Sequence, residues 1–204
     1  MAAIESVTIE ATDPAAAEAF YLAAFDLAGR VRVRACDAPA SGFRGFIMSL
    51  VVSQPATVRK LVDDATGAGA TPLKPAAKSL WGYGGVVQAP DGTIWTIASS
   101  SKKDTGTASG KIDGIVLQLG VTDVAASRRF YADRGFTVAK SFGRKYVEFD
   151  TGPVSLTLNR RDALAKTASV PATGDGAHRL AIIGDDGRFT DPDGFAWETI
   201  AGAA

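Results

Sequence analysis

The sequence predicts an α+β protein built from two tandem, related domains, and three observations predict it. The chain has 204 residues and writes one pattern twice: SVTIEATDPAAAEAFY (6–21) matches VLQLGVTDVAASRRFY (116–131). In each copy an aspartate precedes Phe-Tyr, Asp13 with Phe20 and Tyr21, and Asp123 with Phe130 and Tyr131. A second pair of copies closes each half, VQAPDGTIWTIA (87–98) and FTDPDGFAWETI (189–200). Between the halves SSSKKDTGTASGK (99–111) is polar and aperiodic, which marks a linker. The expected domains are residues 1–100 and 111–204, joined by a linker over 101–110.

Each half opens with a strand, because SVTIEA and IVLQLGV alternate with period two. A helix follows. Asp13 is an expected N-cap with Pro14 at the first helical position, where the missing N–H costs nothing, and AAAEAFYLAAF has high helix propensity. Asp123 repeats the cap before VAASRRFYAD, and Gly135 ends that helix. The first half continues with strands RVRVR and FIMSLVV, a second helix ATVRKLVDDATGAG, and strands GGVVQAP and TIWTIA. The second half continues with FTVAKSF, KYVEFD, VSLTLN, HRLAII and FAWETI. Only GDDGR separates HRLAII from FTDPDG, too short for a helix, so the second domain is expected to be truncated in its final module. The PDG sequences are turn signals that aim the last strand of each half.

Composition removes several classes of function. Twenty-two basic and 22 acidic residues cancel, so no overall field draws the chain to nucleic acid or anionic lipid. No apolar run approaches the ~20 residues of a membrane-spanning helix, and the N-terminus lacks a signal-peptide pattern; a cytoplasmic protein without nucleic-acid or membrane partners is expected. A lone cysteine, Cys36, forms no internal disulfide and no thiolate cluster. A lone histidine, His178, excludes three-histidine zinc sites and two-histidine iron sites within one chain.

The module order, the Asp-started helices carrying Phe-Tyr, and the terminal DPDG…W-E turn and strand together resemble the vicinal oxygen chelate superfamily, which includes glyoxalase I, extradiol dioxygenases, and the fosfomycin and bleomycin resistance proteins. The resemblance implies paired βαβββ modules forming two glyoxalase/bleomycin-resistance-like domains, the second truncated, each pair curling its sheet around a cleft. Metal ligands, where present, enter that cleft from the first and last strands of modules. Carried onto this sequence, the opening-strand position falls on Ser6 and Val116, the next module's on about Ile47 and His178, and the last-strand glutamate position on Thr96 and Glu198. Only His178 and Glu198 match ligand types, where metal-dependent relatives need three or four.

Two readings of the site follow. In the first, the protein binds a small, flat or aromatic molecule without a catalytic metal, using Trp81, Tyr83, Phe46, Gln118 and Tyr146 on strands that would wall the clefts. In the second, a divalent zinc, nickel or manganese ion on His178 and Glu198, aided by Gln118, supports a glyoxalase-type lyase or isomerase with Glu198 as general base. Against the second, Glu198 could simply pair with a nearby basic group. Arg30, Arg32 and Arg34 share one strand face, fit either for an anionic ligand or for solvent. A homodimer is common in the resembled family, and an interaction module using an exposed sheet edge is a third alternative.

Overall fold

The computed structural model describes residues 2–27 and 29–199. The last five residues of the expected second domain, 200–204, lie outside the described residues. In chain order the elements are β1 (Ile4–Ala11), α1 (Pro14–Ala24), β2 (Val31–Ala35), β3 (Ala40–Gly42), β4 (Phe46–Val51), α2 (Pro55–Gly67), β5 (Thr71–Ser79), β6 (Gly82–Gln88), β7 (Ile94–Ser99), β8 (Gly114–Val121), α3 (Val124–Asp133), β9 (Thr137–Phe142), β10 (Tyr146–Asp150), β11 (Val154–Arg160), α4 (Arg161–Thr167), β12 (Gly174–Gly176), β13 (Leu180–Gly184), β14 (Phe189–Thr190) and β15 (Ala196–Thr199).

The sheets do not follow the division at the linker. One has eight strands in the order β5-β6-β7-β4-β8-β11-β10-β9, and its seam joins β4 of the first half to β8 of the second in antiparallel register from Phe46↔Leu119 to Val51↔Gly114. The other has five, β14-β15-β13-β1-β2, with β1 of the first half paired to β13 of the second. Residues 1–100 and 111–204 therefore do not each close a sheet of their own. Register explains why: β1 and β4 each offer a free antiparallel edge, and each takes a strand from across the linker.

The aromatic packing of α1 and α3, in contrast, stays within each half. Tyr21 of α1 donates its hydroxyl hydrogen to Asp91 Oδ2 (2.6 Å) in the β6–β7 turn, and its ring lies 5.6 Å from Trp95 on β7. Tyr131 of α3 does the same for the last hairpin, donating to Asp191 Oδ2 (2.6 Å) with its ring 5.6 Å from Trp197 on β15. The repeated Phe-Tyr sequence thus fastens each helix to the repeated PDG turn. Both carboxylates also organise their turns: Asp91 accepts from the Thr93 amide, and Asp191 from the amides of Asp193 and Phe195. Burial pushes the Tyr131 hydroxyl and the Asp191 carboxyl up from their ordinary values.

The helix caps form as expected, with Asp13 accepting from the Ala16 amide and Asp123 from those of Ala125 and Ala126. Helix α2 begins differently. Gln54 gives it no side-chain cap; Asp104 of the linker reaches the Ala56 amide (2.6 Å) and pairs with Arg59, while Gln54 holds the backbone of Thr105, Gly106 and Thr107. The linker is tied to a helix start rather than loose.

The truncation is present in the last module, which has no helix between β13 and β14, and the first module is short as well. After α1 a single strand, β2, lies parallel to β1 in the place that β7 and β11 occupy beside β4 and β8. Both shortened modules belong to the five-stranded sheet, so the eight-stranded sheet carries the two complete modules. Five elements escape the sequence pattern: β5, interrupted by Pro72 and Pro75; β3, β12 and β14, two or three residues each; and α4, about two turns long. Gly174 is required where β12 meets β3, because a Cβ there would stand 2.3 Å from the Phe43 carbonyl oxygen.

Tyr131→Phe keeps the ring against Trp197 and leaves Asp191 short of one donor in a buried setting. It should lower unfolding free energy by about 1–3 kcal/mol in a urea titration, without changing the far-UV spectrum.

Candidate functional site

Alternation along the strands separates a face covered by helices from a concave face. In the eight-stranded sheet Met48, Trp95, Leu117 and Leu156 join the core under the helices. Ile47, Ser49, Thr96, Gln118 and Thr157, one residue out of phase, share the concave face. There Gln118 Nε2 donates to Thr96 Oγ1 (3.4 Å), and the Thr96 hydroxyl donates to Ser49 Oγ (2.7 Å). Of the positions that the resemblance assigns to ligands on this sheet, Thr96 belongs to this neutral chain and Ile47 and Val116 are apolar. Helix α4 lies over part of this face, where Leu164 and Ala165 pack with Ile47, Val86 and Ile94. Beside it remains a cleft of about 310 Å³, lined by Gly84, Val86, Thr96, Ala98 and Thr167, with Lys74 and Lys78 on the strand that forms its outer wall.

In the five-stranded sheet Val7, Ile9, Val31, Val33 and Trp197 face the helices. Ser6, Thr8, Glu10, Arg32, Arg34 and Glu198 are on the other face. Arg34 joins the two glutamates: Nη1 and Nη2 donate to Glu198 Oε2 and Oε1 (2.9 and 2.8 Å), and Nε and Nη2 donate to Glu10 Oε1 (2.9 and 2.5 Å). Since β13 and β1 lie between β15 and β2, this ion pair spans about 14 Å of sheet width and closes the concave face across its opening. The hydrogen bonds from Arg34 hold the Glu198 carboxyl below its ordinary range, with burial opposing.

The sequence-predicted residues fall in five different settings. Glu198 is engaged by Arg34. His178 is held elsewhere, with Nδ1 2.5 Å from the Arg44 carbonyl oxygen, Nε2 3.0 Å from that of Asp193, and its ring stacked 4.0 Å from Phe195. Gln118 and Tyr146 do lie on the concave face, but Tyr146 is on its far flank and donates its hydroxyl hydrogen to Glu148 Oε2 (3.0 Å). Burial raises that hydroxyl above its ordinary value. Phe46 and Tyr83 point the other way. Phe46 is 2% exposed in the core under the helices, because it is one residue out of phase with Ile47. Tyr83 donates to the Ala76 carbonyl (3.0 Å) and takes the Arg59 guanidinium of α2 over its ring. Trp81, on the turn between β5 and β6, is 85% exposed.

The structure adds residues that sequence reasoning missed. Glu10 escaped notice as the third member of the Ser6, Thr8, Glu10 alternation, and Arg34 was read as facing solvent or an anion. Their shared register, Glu10↔Arg34, was the signal, but it required knowing that β1 and β2 are parallel neighbours. Arg161 donates to the carbonyls of Phe43 and Ala172, whereas Arg160 pairs with Asp162 in solvent.

No protein-family model and no curated protein sequence matches the chain. Among solved structures it is similar over 98% of its length to glyoxalase I from Zea mays, at 14% identity, with 92% of that chain covered and a TM-score of 0.63. Two point variants of the same maize enzyme match comparably, at 14% and 12% identity, over 98% and 97% of this chain and 92% and 93% of theirs, with TM-scores of 0.62 and 0.61. The fold is that of the vicinal oxygen chelate superfamily.

Metal-dependent members of the vicinal oxygen chelate fold need three or four converging ligands, and the residues here do not fit that requirement. Glu198 is level with Ile183 in the paired strands, five positions beyond His178, so roughly 16 Å of strand separates the two. Each is already satisfied by other groups. No set of three or more His, Cys, Asp or Glu that could hold a metal is found among the described residues. None of their helices is long and apolar enough to cross a membrane.

Because Glu198 releases its proton more readily when folded, its pairing with Arg34 contributes stability above the ordinary glutamate value, about 4.3, and loses it as pH falls through the lower folded-state value. Urea midpoints measured at neutral pH and at about pH 3.5 should therefore converge in Glu198→Gln relative to the parent. The difference should be about 1 kcal/mol, limited by solvent screening of a partly exposed pair.

Proposed function

We propose that this protein binds a small, flat molecule on the concave face of its eight-stranded sheet, in the cleft between α4 and the β5–β6–β7 flank, and that it does so without a catalytic metal. The observation that carries this reading is the composition of the cleft. An apolar floor of Gly84, Val86 and Ala98 surrounds the Thr96 hydroxyl, which is tied into the Ser49 and Gln118 chain. Its size, about 310 Å³, is at the lower end for ligand sites, and apolar walls with few polar groups are the usual form of such sites.

Gly84 brings backbone to the surface of the floor without a side chain, which suits a planar ligand face. Exposed Leu80 and Trp81 at the tip of the β5–β6 turn stand beside the cleft and supply apolar surface for its open side. Lys74 and Lys78 place positive charge on the outer wall, so a ligand with one carboxylate is favoured over a neutral one. All these groups come from a single chain, and the reading needs no second copy.

A panel of aromatic carboxylic acids and their neutral analogues, screened by thermal unfolding, tests the proposal. A ligand that prefers the native state must raise its midpoint, by about 2.7 kcal/mol of stabilisation at a hundredfold excess over its dissociation constant. Ala98→Phe, which fills the cleft, should abolish the shift while leaving the unliganded midpoint within a few degrees. A ligand whose shift survives Ala98→Phe binds elsewhere, and the assignment of the cleft fails.

A further inference from the structure

We propose that the outer edge of β2 is a docking site for an extended segment of a partner protein, added antiparallel to the five-stranded sheet and alternating bulky apolar with acidic residues. The shortened first module leads to this. In the complete modules an antiparallel strand covers the outer side of the strand that β2 matches, β6 beside β7 and β10 beside β11. Among the described residues no strand covers β2. The Val7 amide donates to the Arg30 carbonyl and the Cys36 amide to that of Ala11, so residues 30, 32, 34 and 36 turn their backbone groups to β1. Val31, Val33 and Ala35 turn theirs outward, a free row of donors and acceptors that a further strand would satisfy.

The groove beside that row lies where another module places a side chain. In the third module Phe149 of β10 packs with its ring 5.7 Å from that of Tyr131. Tyr21, the counterpart of Tyr131, instead lines a cavity of about 520 Å³ with Phe25, Val31, Val33 and Leu22, which is 84% exposed. The two modules match in register, since Val31 pairs with Val7 as Leu156 pairs with Leu117. A strand placed as β10 lies on β11 would set its Phe149 and Val147 positions opposite Val31 and Val33, into the groove. Its Glu148 position would face Arg32, the counterpart of Thr157, and Asp150, next on that face, would fall beside Arg30. Neither arginine belongs to an ion pair among the described residues. Glu18 and Asp26 rim the groove on the helix side, so acidic residues are accepted on the arginine face alone. The same charges disfavour β2 of a second copy, because two antiparallel β2 strands would set arginine opposite arginine.

The inference does not rest on ligand binding at the eight-stranded sheet, so either can fail alone. The probe is a fluorescein-labelled peptide of residues 145–151, KYVEFDT, added to the full chain and followed by fluorescence anisotropy. It should bind saturably, and the permuted peptide KEDYVFT, of the same composition without the alternation, should not. Val33→Pro removes an outward amide that takes no part in the ladder to β1, and it should abolish binding. Arg32→Glu should weaken the peptide about fivefold or more, and a peptide carrying Glu148→Lys should recover most of that loss on this variant alone. If Val33→Pro does not fold, the charge exchange reads the same contact. The absence of saturable binding would overturn the proposal, as would binding indifferent to both variants. Self-association of the parent chain that Val33→Pro dissolves would make a second copy the occupant and overturn it equally.

Discussion

The pairing of β4 with β8 is the contact on which the rest of the architecture depends. It joins two complete modules into one continuous eight-stranded sheet, and its residues Ile47, Ser49 and Gln118 are the middle of the concave face. A shift of one residue in that register would exchange Ile47 for Phe46, and Gln118 for an apolar neighbour, turning the whole floor inside out. The core prevents this, because Phe46, Met48 and Leu50 on one strand and Leu117 and Leu119 on the other are buried under the helices on the opposite side. Hydrophobic burial there fixes which side chains are offered to the cleft here.

Strand pairing and helix packing divide the molecule along different lines. Backbone hydrogen bonds carry β1 to β13 and β4 to β8 across the linker, while the buried tyrosine and tryptophan contacts keep α1 with β7 and α3 with β15 inside each half. Neither half can satisfy both sets of contacts alone. The anchoring of the linker by Gln54 and Asp104 is consistent with this, since a fixed crossover limits how the halves approach.

Most of the secondary structure was legible in the sequence because it rests on local physics. Asp13 and Asp123 cap their helices wherever those helices pack, and a period-two pattern in IVLQLGV means a strand in any sheet. The pairing of strands across the linker was not legible for the complementary reason: an edge strand does not state its partner, and β1 could have closed on β4 or on β13. The same limit applied to the site. Phe46 and Tyr83 were chosen as aromatic residues near the expected cleft, but the face a side chain takes depends on a phase that glycines and turns can shift. The pairing of Glu198 with a basic group was foreseen as an alternative. Its identity as Arg34, with Glu10 sharing it, depended on a parallel contact between strands that a helix separates in sequence.

The two shortened modules share one sheet, and that sheet is also the one closed by an ion pair. On the five-stranded sheet Arg34 holds Glu10 and Glu198 together across the concave face.

Ile4 of β1 pairs with Gly184 of β13, which lies close to the far end of the described chain. During synthesis at about 5–20 residues per second, one edge of the first strand waits roughly 10–40 s for its partner to emerge. Over that interval β2 can cover only the other edge, and Val7 and Ile9 depend on α1 for shelter. A nascent chain of this protein therefore carries an unpaired β-edge until β13 emerges, and the register bulge between Ile4 and Ser6 lies on that waiting edge, where it discourages a second nascent chain from docking first.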